Sequence, residues 1–520
     1  MTASVSFDLP DSFFVVFAVF FSLCCCLWVI SGAGDDDAAM FPSRERGDSA
    51  LRSGLVISGT TLSAVTLMAL VGLVALTGYD GMMLSLGVVV GVVLLALVFA
   101  EPLRRTGGYT VGDALAHRLP GRSVRVALGL ATLFVCLPFL VLQLAAIGSL
   151  SAFVLGLTSS AAKSTCILVI GCLVVSLAVS GGVVGTARVQ LVKVVVLVVV
   201  LAAAAALVLD RFAWNPDRLL GAASSGSALG EAFLGPGNQY GDGPMAVANR
   251  FGQFLTLALA MCCLPHTTMR VLAAPGGRGT RRAMRWAVGQ MLVVSALLLV
   301  VGLGAAAVIG GPALGKADPT GGMSLLLIAA EMDTRGLLVS AVFSVVFLTA
   351  LATVADVMLA AATSVVRDLS PRRPQAGVAP LPRQERHARW AAALVGAVTI
   401  AVSVPAADWN LLVLSTLAMT LAASTVAPVL TYAVLWRGFT ARGALWALYG
   451  AGLLTFALLA VSPLVSGSPA AILPGEDFHW TGLVSPGLVT IPAGFLFGWL
   501  GSVRDRGATV PVADGSPARR

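Results

Sequence analysis

The chain has 520 residues, 58% of them hydrophobic and 11% charged, and a formal net charge of +8. A water-soluble domain of this length does not carry that balance, so the composition excludes a soluble enzyme and assigns the chain to the membrane. The positive charge does not mark a nucleic-acid partner, because the arginines gather in three connections, at 104–125, 278–285 and 367–389.

Apolar windows long enough to cross a bilayer recur at 11–31, 53–78, 82–100, 124–155, 162–180, 187–209, 249–272, 284–310, 336–366, 390–406, 410–436, 443–462 and 484–502. The expectation is an all-α integral membrane protein with about thirteen transmembrane helices. The first window follows Asp8 and Asp11, with neither a basic leader nor a convincing cleavage pattern, so it reads as a retained span and not as a signal peptide. An external N-terminus places all three arginine-rich connections and the C-terminus in the cytoplasm, as the bias of basic residues toward the inner side of a plasma membrane requires.

The second window begins Gly54-Leu-Val-Ile-Ser-Gly-Thr-Thr-Leu-Ser-Ala-Val-Thr66. So many hydroxyls gain nothing from lipid, and backbone loosens at bilayer depth only inside protein or against a cavity. A helix broken here, carrying polar groups at mid-span, is how a secondary transporter builds its site. Further along, Gly181-Gly-Val-Val-Gly-Thr-Ala-Arg188 leads into a span followed by Gln190 and Lys193. The two cations read as anchors at the cytoplasmic end, with Gln190 open to an inward role.

The connection at about 210–248 holds Gly235-Pro-Gly-Asn-Gln-Tyr-Gly-Asp-Gly-Pro244, a turn-rich stretch that suits either a gate or a plain loop. In Leu264-Pro-His-Thr-Thr-Met-Arg270, the proline breaks the helix, and His266 either lines the substrate path or fixes the kink. Arg270 reads as a structural residue near the cytoplasmic end. Gly310-Gly-Pro-Ala-Leu-Gly-Lys316 nearly completes a phosphate-binding loop, but Ala317 stands where magnesium needs a hydroxyl, and no strand precedes it. That excludes an ATP-driven pump.

In the window 336–366, Thr349, Ala352, Thr353 and Asp356 fall on one helix face. A carboxylate in mid-span must be paired or solvated. Hydroxyl and carboxylate oxygens suit a hard cation, so the stretch reads as a site of cation or proton coupling, with a purely structural hydrogen-bonding aspartate as the alternative. The loop 367–389 is rich in Arg and Pro, and the tail 503–520 is polar. The eight cysteines, Cys24 to Cys26, Cys136, Cys166, Cys172, Cys262 and Cys263, lie in apolar spans without zinc spacing and read as small hydrophobes.

Several pieces, in this order and at these intervals, resemble the sodium/solute symporter family, and within it the cation/acetate and monocarboxylate permease branch. They are Gly78-Tyr-Asp-Gly81 with Ser85-Leu-Gly87, Gly108-Tyr-Thr110 with Asp113 and Arg118, Leu264-Pro-His266 with Arg270, and Ala422-Ala-Ser424 with Pro428, Trp436, Thr440 and Arg442-Gly-Ala444. The resemblance implies a five-plus-five inverted-repeat (LeuT-like) core over 53–436. An N-terminal helix and connection over 1–52 precede it, two helices follow over 437–502, and 503–520 is a cytoplasmic tail.

The family's main sodium site, carried over, falls on the carbonyls of Gly59, Leu62 and Thr349 and on side-chain positions 352 and 353. Thr353 keeps its hydroxyl, whereas Ala352 stands where many relatives have serine. Asp356, one turn on, would compensate or carry a proton. A second sodium is not expected, because Gln190 stands where other relatives place a carboxylate, and Thr60 stands where many acetate-branch members have aspartate. The implied substrate is a small monocarboxylate such as acetate, propionate or pyruvate, with no cofactor beyond the coupling ion.

The sequence offers no evident midplane Arg or Lys to pair with the substrate. Helix N-termini and freed amides near Ser58–Ser63 and Pro265 are therefore expected to hold it. The side chains of Ser58, Thr60, Thr61, Ser63, Thr66, Gln143 and His266 would face it. Two interrupted helices should then meet with residues 59–62 and 349–353 around a single cation. An amino-acid or sugar symporter of the same fold, or an uncoupled channel or sensor, is the competing expectation.

Overall fold

The computed structural model describes residues 49–157, 159–333, 335–370, 382–407, 409–467, 471–473 and 475–508, with short pieces before residue 49. The expected span 11–31 with Cys24 to Cys26, the segment 371–381 and the tail from 509 lie wholly or mostly outside the described residues.

Helices α1 (Ala50–Thr61) and α2 (Ala64–Thr77) are two halves of one crossing, bent by 66°. Leu62 leaves helical geometry at φ −87°, ψ 112° and Ser63 is extended, while Ser63 Oγ accepts the Thr66 N–H at 3.0 Å and starts the second half. Next come α3 (Tyr79–Thr106), carrying one wide turn at Leu95–Phe99, the short α4 (Val111–Leu115), α5 (Arg122–Val154) and α6 (Ser160–Arg211).

Helix α6 has 52 residues, about 78 Å at 1.5 Å per residue, which is more than twice a bilayer's apolar thickness. It is broken at Gly182, whose φ of 54° and ψ of −159° are open to glycine and strained for other residues. The two windows read from the sequence at 162–180 and 187–209 are its two arms.

Helix α7 (Pro216–Gly226) and a 3-10 turn at Gly230–Leu234 lead to a second broken crossing, α8 (Pro244–Cys263) and α9 (Pro265–Ala273). There, Leu264 is extended at φ −53°, ψ 131° and Pro265 opens the second half. The rest of the chain forms α10 (Arg278–Val308), α11 (Gly311–Ala317), α12 (Ser324–Met332), α13 (Leu337–Arg367), α14 (Pro382–Ala406), α15 (Leu411–Leu435), α16 (Ala441–Ala460) and α17 (Gly487–Ala508). The glycine-rich run before Lys316 is the short helix α11, not a strand-to-helix phosphate loop.

Ten described helices are long and apolar enough to cross a membrane, eleven with the bent pair α1–α2. Counting the two arms of α6 separately gives twelve, which leaves only the expected first span outside the described residues.

Helix α13 is the axis of the bundle. No Gly or Pro interrupts it between 337 and 366, so it stays straight, and most of its side chains are buried. It packs against α5, α6 and α14, while α1 and α2 pack against α10. Lipid is as apolar as leucine, so these contacts rest on close packing of small residues and on internal hydrogen bonds. Ala350, Ala352, Ala355, Ala361 and Ala362 supply such small residues on several sides of α13, each fully buried. Gly59 does the same on α1: a Cβ there would come within 2.7 Å of Val194 Cγ2.

The turn-rich stretch 235–244 is held down on the α2–α3 junction. Asp80 accepts the Gly237 and Gln239 amides at 3.3 and 2.9 Å, and Asn238 Nδ2 donates to the Thr77 carbonyl at 3.1 Å.

Candidate functional site

The break between α1 and α2 exposes two carbonyls, those of Gly59 and Leu62, to the middle of α13. Thr353 Oγ1 donates to the Thr349 carbonyl at 2.8 Å and lies 3.4 Å from the Leu62 carbonyl. The oxygens expected around a cation are thus brought together from two segments of chain, 59–62 and 349–353. One part of the expectation needs correction. The stretch 349–353 belongs to an unbroken helix; the second interruption is at Leu264, between α8 and α9.

The oxygens already have a cationic neighbour. Lys193 Nζ, from the second arm of α6, donates to the Gly59 carbonyl at 2.5 Å and to the Leu62 carbonyl at 3.0 Å. Its side chain is fully buried, not an anchor at a helix end as the sequence suggested. The close approach of α6 that brings it there is the one Gly59 permits.

Asp356 lies one turn beyond Thr353, fully buried, and is already paired. Arg270 Nη2, on α9, donates to Asp356 Oδ1. Thr60 Oγ1 and Gln190 Nε2 donate to Oδ2 at 2.8 and 2.9 Å. Gln190 also reaches the Ala352 carbonyl at 3.3 Å. Arg270 further donates from Nη1 to the Val183 carbonyl at 2.8 Å and from Nη2 to Thr186 Oγ1 at 2.6 Å.

Two expectations fall here. Arg270, in the last turn of α9, is not a mere anchor there but a buried counter-charge to Asp356, and the core does contain basic side chains, Lys193 and Arg270. A buried carboxylate needs such a partner in low dielectric, because the unpaired charge would cost several kcal/mol.

The side chains expected to face substrate divide in two. Ser58 Oγ donates to the Leu55 carbonyl at 3.0 Å and Thr61 Oγ1 to the Ile57 carbonyl at 2.9 Å, so both turn back on their own helix. Ser63 and Thr66 pair with each other at 2.8 Å as the cap of α2, and Thr60 is used by Asp356.

Gln143 and His266 are different. Both are buried, and neither amide atom of Gln143 nor Nδ1 of His266 has a hydrogen-bond partner among the described residues. The His266 ring stacks on Phe139, centroids 5.6 Å apart, and Gln143 lies one turn along α5 from Phe139. His266 is also the second residue of α9, whose first amides have no side-chain cap. Buried polar groups without partners are rare and call for a ligand or water.

A second polar cluster gathers at the Arg367 end of α13. Asp113 accepts from Arg125 Nη2 and Arg367 Nη2, each at 2.9 Å, and from the Tyr109 amide at 3.1 Å. Thr110 and Ser364 donate to Asp368 at 2.8 and 2.7 Å, and Arg118 donates to the Ala433 and Trp436 carbonyls. The motif around Tyr109 thus ties α4 and α5 to α13 and α15, away from the helix breaks.

Lys193 and Arg270 are the residues that sequence reasoning misplaced. Their signals were present: Thr186, Gln190 and Lys193 form a polar stripe on one face of an otherwise apolar helix, and Arg270 follows His266 by one turn.

Against known proteins, residues 46–450 match the model of the sodium:solute symporter family. The chain is similar to a Corynebacterium glutamicum protein called "Monocarboxylic acid transporter", with 31% identity over 94% of this chain and 90% of that protein. It is equally similar to "Uncharacterized symporter YwcA" of Bacillus subtilis, 31% identical over 88% of each. Among solved structures, a Na+-coupled sialic acid symporter in a substrate-bound outward-open state superposes with a TM-score of 0.69, covering 96% of this chain and 98% of that one at 14% identity. MhsT in complex with L-phenylalanine gives 0.52 over 88% and 100% of the two chains, also at 14% identity. These structural likenesses establish the shared LeuT-like fold. The relatives are transporters and not enzymes, and this chain, by its sequence match and its twice-broken helical core, belongs to the sodium:solute symporter family.

Proposed function

We propose that the chain imports a small monocarboxylate, of the size of acetate, propionate or pyruvate, by alternating access coupled to the inward flow of sodium or protons. In this reading it is a multi-pass protein of the plasma membrane with its N-terminus outside and its C-terminus inside. The transport core runs over 53–436, with one helix before it and two after. The substrate class draws support from the name of the Corynebacterium relative and from the chemistry of the core. The observation that carries it is the unpartnered pair Gln143 and His266 beside the uncapped start of α9, all close to the breaks in two crossings.

A carboxylate suits such a place. The amides at the start of α9 and the Gln143 Nε2 donor offer hydrogen bonds to an anion, and a helix N-terminus favours negative charge. Phe139 and His266 supply a flat wall for a short carbon chain. Asp356 is neutralised by Arg270, so it does not repel the substrate.

The test is uptake of labelled pyruvate into proteoliposomes. Saturable uptake, suppressed by unlabelled acetate or propionate and untouched by neutral amino acids, is the expected result. Gln143→Ala should raise KM about ten- to a hundredfold, the loss of one or two hydrogen bonds to a charged group. Suppression by amino acids and not by carboxylates would transfer the chain to the amino-acid reading, and flux that never saturates would make it a channel.

A further inference from the structure

We propose that the ε-ammonium of Lys193 is the resident occupant of the cation site between the α1–α2 break and α13. On this view the chain binds no sodium there, and this stands on geometry alone, apart from the substrate reading above.

Three observations carry it. First, Lys193 Nζ donates to both carbonyls freed by the helix break, those of Gly59 and Leu62, and does so from a fully buried side chain. These are the oxygens on which a sodium ion would rest. A bare ion enters such a site only when protein oxygens replace its hydration shell, and here an ammonium already holds two of them.

Second, the remaining oxygen donors are depleted. Position 352 is alanine and Asp356 is taken by Arg270, Thr60 and Gln190, which leaves only the Thr353 hydroxyl and the Thr349 carbonyl of the expected set on α13.

Third, the charge balance already closes. The groups whose charges act on one another here are Lys193 on α6, Asp356 on α13, and Arg270 with His266 on α9. One carboxylate against Lys193 and Arg270 leaves one net positive charge, the charge a bound sodium would have supplied. A sodium added beside them would sit next to two buried cations in low dielectric, where like charges repel strongly.

Binding of radioactive sodium to the purified protein in nanodiscs is the direct test, with a thermal-shift comparison of sodium against N-methyl-D-glucamine. The wild type is expected to bind no sodium saturably and to show no sodium-specific shift. Saturable binding that Thr353→Ala abolishes would overturn the proposal, and this arm needs no Lys193 variant to fold. Failure of every carboxylate to be transported would end the substrate reading instead, and the sodium-binding arm would still decide this one.

Discussion

Replacing Asp356 with asparagine changes little in volume but removes the carboxylate that pairs with Arg270 and faces Lys193. In the native protein Asp356 accepts from Arg270, from Thr60 at 2.8 Å and from Gln190 at 2.9 Å, with no exposure to solvent. Breaking a buried ion pair from one side costs about 3–5 kcal/mol, because the remaining charge stays desolvated. Average unfolding entropies per residue scale for a chain of this length to about 1.1 kcal/mol per degree, so the loss corresponds to a midpoint lower by about 3–5 °C. Arg270→Met should cost a similar amount, since it leaves the carboxylate unpaired.

The combination Asp356→Asn with Arg270→Met removes both charges and should cost less than the sum of the two, with a coupling of about 1–3 kcal/mol. Purified variants in one detergent, followed by tryptophan fluorescence on heating, measure all four corners of the cycle. Strict additivity would refute the reasoning, as would an Asp356→Asn protein as stable as wild type. Asp356→Asn should in addition depress coupled uptake, since the same side chain holds Thr60 beside the helix break and Gln190 on α6.

Two further outcomes follow from other parts of the molecule. Asp368 lies just beyond the end of α13, and burial pushes its carboxyl up to about 7 against the pull of the Ser364 and Thr110 hydroxyls and of Arg125. With the folded value above the unfolded one of about 3.9, the folded state holds more protons in between. Stability should therefore fall as pH rises from about 4 to about 7 and level off above that. Asp368→Asn should flatten that slope in a series of melting curves, and a slope left unchanged would remove Asp368 as its source. Gly59→Ala places a methyl 2.7 Å from Val194 Cγ2, which should cost about 1–3 kcal/mol by overpacking and reduce uptake. Adding Val194→Ala should restore part of both, and no recovery would mean that the α1–α6 approach is not what Gly59 serves.

The backbone of the site was legible in the sequence because its signals are local. Five hydroxyls and a glycine between Ser58 and Thr66 cannot be explained by lipid, and the crossing does break at Leu62 and Ser63. Pro265 marks the second break for the same kind of reason. The reading of 349–353 as interrupted was mistaken: it inferred a break from function, whereas the stretch contains neither Gly nor Pro and simply continues as helix.

The hydroxyls were legible as present but not as to their use. Ser58 and Thr61 bond back within α1, and Ser63 with Thr66 caps α2. Such short-range options are open to any serine or threonine in a helix, and sequence alone does not choose among them.

What the amino-acid sequence determined by itself was the class of protein and the layout of its spans, because hydropathy and helix breakers act over a few neighbouring residues whatever the rest of the chain does. What only the tertiary structure decided was the pairing of charges. Lys193 and Asp356 are far apart in the chain, and Arg270 lies between them. Only the packing of α6, α9 and α13 around the broken crossing turns one lysine toward freed carbonyls and one arginine toward a carboxylate, since a buried charge takes whichever partner the fold brings within reach.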